Sequence, residues 1–119
     1  MDSQTMLKLA ALLFVVAALG GLAMAYIRFG GGRNPPDAFV MGHGFLGAVG
    51  LLLLLYVQFT AGLRGNALLA LILLLAAAAG GAAMNLMFHR KGALIPKPFV
   101  LGHAAIAAAG LVLLCMAVF

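Results

Sequence analysis

Four apolar runs dominate the chain: residues 6–27, 38–59, 67–88 and 98–119, each 22 residues long. A helix needs about 20 mostly apolar residues to cross the hydrocarbon of a bilayer, so each run is long enough for one crossing. The remaining residues form short connections, so within these 119 residues any chemistry lies in a helical bundle or at its ends. Composition excludes the soluble alternative. With 66% apolar residues, 8% charged residues and a mean hydropathy of +1.23, the chain cannot clothe a water-soluble core. The formal net charge of +5 therefore points to lipid headgroups and topology rather than to nucleic acid. The lone Cys115 has no intrachain partner and carries no information about redox compartment. Lys8, the first apolar run and Ala23-Met24-Ala25 together resemble a secretory leader with its cleavage site. Recurrence of the same segment as the third run argues against its removal.

A shift of 60 residues aligns 1–59 with 61–119 without a gap, giving 21 identities in 59 pairs. Composition alone would give roughly 7 or 8. The informative matches are punctuation and polar residues. Ala17-Ala18-x-Gly20-Gly21-x-Ala23-Met24 recurs as Ala77-Ala78-x-Gly80-Gly81-x-Ala83-Met84, Pro36 as Pro96, and Phe39-Val40-x-Gly42-His43 as Phe99-Val100-x-Gly102-His103. The expected fold is an all-α membrane protein of one domain, residues 1–119: a four-transmembrane-helix, up-down-up-down bundle of two tandem hairpin repeats, 1–60 and 61–119. Each repeat holds two spans, so both enter the membrane the same way. The repeats are therefore parallel, related by an axis along the membrane normal.

The connections after the first and third runs hold Arg28, Arg33, Arg90, Lys91 and Lys97 against Asp37, whereas the other side has Lys8 and Arg64 beside Asp2. The positive-inside rule then predicts that these two connections are cytoplasmic and both termini outside, with a bacterial inner membrane as the expected location.

His43 and His103 fall at one depth, about a turn inside the second and fourth helices. A polar ring at that depth is expected to face the bundle interior and find a partner. The helical series His43, Gly47, Gly50 and His103, Ala107, Gly110 line each histidine face with small residues. Gly20, Gly21, Gly80 and Gly81 lie at a similar depth on the other helices. Small residues there admit close approach of a helix or of a flat ligand. Diagonal helices would stand ~14 Å apart if neighbours are ~10 Å apart, close to the span of two histidines reaching one central iron. The expected site is one haem b with His43 and His103 as metal ligands. Glycines clear its volume, Phe39 and Phe99 pack on the macrocycle, and Arg28, Arg33 and Arg90 (with Lys91 and Lys97) meet its propionates. The plainer expectation is that the glycine pairs are helix-packing seams and each histidine bonds a headgroup or a carbonyl.

This pattern resembles the membrane-embedded b-type cytochromes, in which histidines on facing helices of a four-helix bundle bracket a haem. The resemblance covers the architecture of the whole chain and rests on His43, His103 and the flanking glycines. It implies electron transfer, with quinone or a redox partner subunit as the exchanging species. Those cytochromes commonly hold two haems, and here the other half of the bundle offers only Tyr56 and Gln58. A single haem near one surface cannot carry electrons across the bilayer, so the implied role is a relay or sensor.

Other readings compete. Met24 and Met84 could join the histidines in a copper site. An accessory subunit of a respiratory or photosynthetic complex, in a homo- or hetero-oligomer, could use each histidine for a separate chlorophyll-type pigment or for none. A channel would need a polar lining that the spans lack. His89, where the first repeat has Phe29, is expected to touch a headgroup or a propionate, and Asn85, opposite Ala25, to bond a neighbouring helix. Gly30-Gly31-Gly32 reads as a flexible turn. There is no glutamate, no aspartate within a run, and no nucleophile–base pair, so the chain is not expected to be an enzyme on its own.

Overall fold

The computed structural model describes all 119 residues and is entirely helical. Helix α1 spans Ser3–Gly31, α2 Asp37–Thr60, α3 Gly65–Met87 and α4 Lys97–Val118, with a short 3-10 turn at His89–Lys91. All four α-helices are long and apolar enough to cross a membrane, and the molecule measures 43 × 22 × 21 Å.

Local chemistry sets the helix ends. Asp2 caps α1 by accepting from the Thr5 backbone N–H at 2.7 Å, which holds its carboxyl below the usual carboxylate range. At the far end Gly32 takes the left-handed cap conformation, φ 63°, as does its repeat partner Gly92, φ 71°. Pro36 and Pro96 then sit at the N-caps of α2 and α4. The triple glycine is not a free turn: Gly30 and Gly31 continue α1, because a helix needs only one left-handed residue to stop. The third helix stops sooner, at Phe88, whose φ and ψ of −125° and −62° leave the helical region.

Helices pack most extensively within the pairs α1–α2 and α3–α4, less between α1 and α4 and between α2 and α3. The backbones of the diagonal pairs α1–α3 and α2–α4 stay more than 8 Å apart, Cα to Cα. Positions 60 residues apart share their burial: Ala10 and Ala70, Phe14 and Leu74, Ala17 and Ala77, Gly50 and Gly110, Leu54 and Leu114 are all buried. No charged or polar side chain is buried, while Leu12, Leu19, Leu52, Leu69 and Ile72 stand more than half exposed.

The core occupies only one half of the bundle. Its members come from the first half of α1 and α3 (Leu7 to Phe14, Ala67 to Leu74), the last half of α2 and α4 (Leu54, Val57, Leu114, Val118) and Leu63 in the connection between α2 and α3. Gly50 and Gly110 complete this packing. A Cβ on Gly50 would lie 2.8 Å from the Phe14 ring, and one on Gly110 2.8 Å from Leu74 Cγ. Two side-chain bonds close this end: Gln4 donates to the Val118 carbonyl at 3.0 Å, and the Leu63 N–H to Gln58 Oε1 at 2.9 Å.

Substitution at these glycines separates packing from propensity. Gly50→Ala and Gly110→Ala are each expected to destabilise the protein by about 1–3 kcal/mol through overpacking. Gly20→Ala, with nothing within 4 Å of its Cβ position, should be neutral or slightly stabilising. Thermal unfolding of the detergent-solubilised protein reads the difference.

Candidate functional site

The other half of the bundle is hollow. A cavity of about 1220 Å³ extends from a floor of Phe14, Leu51, Leu74 and Leu111 to the connections at Pro35 and Ile95. Its walls are mostly alanine, glycine and methionine, and its rim carries the largely exposed Leu22, Met41 and Val112.

His43 and His103 project into it from the two diagonal helices, and their ring centroids are 6.1 Å apart with planes at 70°. Both are held identically. His43 Nδ1 lies 2.8 Å from the Ala17 carbonyl oxygen, and His103 Nδ1 lies 2.8 Å from that of Ala77. A carbonyl only accepts, so each Nδ1 carries the proton and donates it. Each Nε2 is then an unprotonated lone pair, and neither has a partner within the protein.

The glycines explain how an imidazole reaches a helix carbonyl. In α1 the Ala17 carbonyl accepts from the N–H four residues on, at Gly21, and a side chain there would cover its second lone pair. A Cβ on Gly21 would stand 3.1 Å from His43 Cε1 and 3.5 Å from Nδ1. Gly81 bears the same relation to His103, at 3.1 and 3.5 Å. These two glycines seat the rings.

The candidate residues divide on this geometry. His43, His103, Gly21, Gly81, Gly47, Arg28 and Arg90 line the cavity, as do Met24 and Met84. Gly50 and Gly110 belong to the packed core instead, and Gly20 borders nothing within 4 Å. Gly80 and Phe99 face a separate groove of about 290 Å³ between α3 and α4. Phe99 packs there at a tilt against Phe88, ring centroids 5.6 Å apart, Phe39 is 46% exposed outside the cavity, and Arg33 is exposed on the first connection.

A cross-linked polar layer closes the connection end. Arg28 Nε donates to the Ile95 carbonyl at 2.8 Å, leaving its other donors free. Asn34 brackets the opposite connection, donating to the Ala93 carbonyl at 2.6 Å and accepting from the Ile95 N–H at 3.0 Å. His89 returns the contact: its Nε2 donates to the Pro35 carbonyl at 2.8 Å, and its Nδ1 lies 3.6 Å from Asp37 Oδ1. His89 is thus committed to the first connection rather than to a headgroup. No pattern along the chain signals this layer, because it is made between connections 54 to 67 residues apart. The interhelical bond expected of Asn85 is not formed: Asn85 lines the cavity, and its amide has no partner in the chain.

The titratable groups supply no third ligand. No cluster of three or more histidine, cysteine or acidic side chains exists that could enclose a bare metal ion. No family model, curated protein or solved structure matches this chain.

The seat fixes a tautomer, which nitrogen-15 NMR of histidine-labelled protein reads directly. Both bundle histidines should show a protonated Nδ1 and a bare Nε2. Gly21→Ala should disturb the His43 signal alone, and Gly81→Ala the His103 signal alone.

Proposed function

We propose that this chain is a small integral membrane b-type cytochrome, holding one haem between α2 and α4 with His43 and His103 as axial ligands. The observation that carries the reading is the convergence of the two rings. Two imidazoles that would hold one iron between them would have ring centres roughly 6 Å apart, from a metal–nitrogen bond of ~2 Å and ~1 Å from nitrogen to ring centre on each side. The centroids here are 6.1 Å apart. Donation from each Nδ1 to a backbone carbonyl is the outer-shell arrangement that fixes the tautomer and orientation of a metal-bound histidine.

The ligand count supports the same choice. A closed metal site needs about four protein ligands, and two imidazoles without a third suit a metal that arrives already ringed by four nitrogens. The cavity supplies volume and an apolar wall for a macrocycle, and Arg28 and Arg90 supply cations at one end for its carboxylates. Separate pigments on the two histidines are disfavoured, since rings this close leave no room for two macrocycles. Haem would supply one-electron chemistry. The chain's own residues would fix its two axial positions, shield its faces with hydrocarbon and anchor its charged edge.

In this reading the four helices form an up-down-up-down bundle of two parallel repeats in the membrane. The connections bearing Arg28, Arg33, Arg90, Lys91 and Lys97 face the cytoplasm. One haem near that surface makes the chain a relay or sensor that exchanges electrons with quinone or a partner subunit, not a route across the bilayer.

Optical spectra of the purified protein, oxidised and then dithionite-reduced, test the proposal. A Soret band with sharp reduced α and β bands is expected. Either single variant, His43→Ala or His103→Ala, should lose the low-spin spectrum, and the double variant should lose the bound haem. A colourless wild-type protein after expression with ample haem would refute the reading in favour of an accessory packing subunit.

A further inference from the structure

Of the polar side chains lining the cavity, Arg28, His43, His89 and His103 each bond a backbone carbonyl, and Asp37 faces His89. Two remain without a hydrogen bond to the chain: Arg90, an exposed cation at the mouth, and Asn85, which is partly buried. An amide facing an apolar cavity at membrane depth is costly unless something in that cavity satisfies it. The repeat shows that helix packing does not require it, since position 25, its counterpart, is alanine and lines the same cavity.

Depth identifies the partner. Gly81, four residues before Asn85 on one face of α3, lies against the His103 ring and so marks the level of the two imidazoles. Asn85 is therefore one turn, ~6 Å, nearer the connection end. Arg28 lies seven residues beyond Gly21 on α1, roughly 10 Å below the same level. The cavity thus carries a neutral donor one turn below the rings and a guanidinium two turns below. A carboxylate hanging about one turn from the centre of a planar ligand would meet Asn85 first, with Arg28 beyond it.

We propose that Asn85 is a binding residue for a carboxylate of the tetrapyrrole, its Nδ2–H donating to one propionate oxygen and turning the charged edge of the macrocycle toward the connections. This rests on the haem reading above. The two fail in different ways.

The test compares haem with haem dimethyl ester, which keeps the iron and the ring but has no carboxylates. Each is titrated into apo-protein of wild type and of Asn85→Ala, with thermal unfolding of both apo-proteins as the folding control. A hydrogen bond to a charged group is worth about 1.5–3 kcal/mol, so Asn85→Ala should weaken haem binding roughly ten- to a hundredfold. The two proteins should bind the dimethyl ester equally, and Asn85→Asp, which places an anion beside the carboxylate, should bind haem more weakly than Asn85→Ala. Equal haem affinity in wild type and Asn85→Ala overturns the inference while leaving the axial histidines intact. So does a difference of the same size with the dimethyl ester, which would make Asn85 a packing residue. Failure of wild type to bind either porphyrin overturns the haem reading and this inference with it.

Discussion

The hollow half of this bundle depends on one kind of hydrogen bond, made twice: an imidazole N–H donating to a helix carbonyl that a glycine has left uncovered. Backbone carbonyls inside an α-helix already accept one bond, and their second lone pair is usually hidden by the side chain one turn on. Removing that side chain at Gly21 and Gly81 lets His43 and His103 bring a ring edge against α1 and α3, where larger residues would hold them off. The bond does three things together. It satisfies a ring nitrogen in apolar surroundings, fixes which nitrogen carries the proton, and ties the two helices of each hairpin at the depth where the bundle is otherwise open.

From that bond follows the division of the molecule. Toward the termini, beyond the cavity floor, side chains of all four helices interdigitate, and Gly50 and Gly110 let Phe14 and Leu74 pack closely on α2 and α4. From that floor to the connections the walls are mostly small residues, and the hairpins are held together at the connection end by Arg28, Asn34 and His89. An open space thus arises where packing stops and before the connections begin. The proposed haem would take the place of a core there, covering apolar walls that the helices do not cover for one another.

Much of this was legible in the chain. Apolar run length gives the four helices within a few residues, because hydrocarbon thickness is a stringent ruler. The recurrence of Gly-His after Phe-Val marks the histidines as a pair, and their small-residue faces point them inward. What the sequence does not separate is one glycine from another. Gly21 seats a ring, Gly50 admits a phenyl group and a Cβ on Gly20 would meet nothing within 4 Å, although all three are helical glycines. Their roles depend on which neighbouring side chain faces them, and periodicity along one helix carries no information about the helix opposite. Phe39 and Phe99 mislead for the same reason: one turn before a histidine is its face only approximately, and both rings fall outside the cavity. The polar layer was hidden further still, since Asn34 and Ile95 meet only after both hairpins are formed.

The solid half and the hollow half also differ in how they resist opening. The packed end is held by dispersion and burial spread over 13 core side chains, which yield together or not at all. The connection end is held by a few discrete hydrogen bonds, each of which can exchange with water one at a time. The bundle is therefore a clamp with a fixed jaw and a releasable one. Its register is kept by the terminal end, while the bonds between the connections can open singly without unpacking the core.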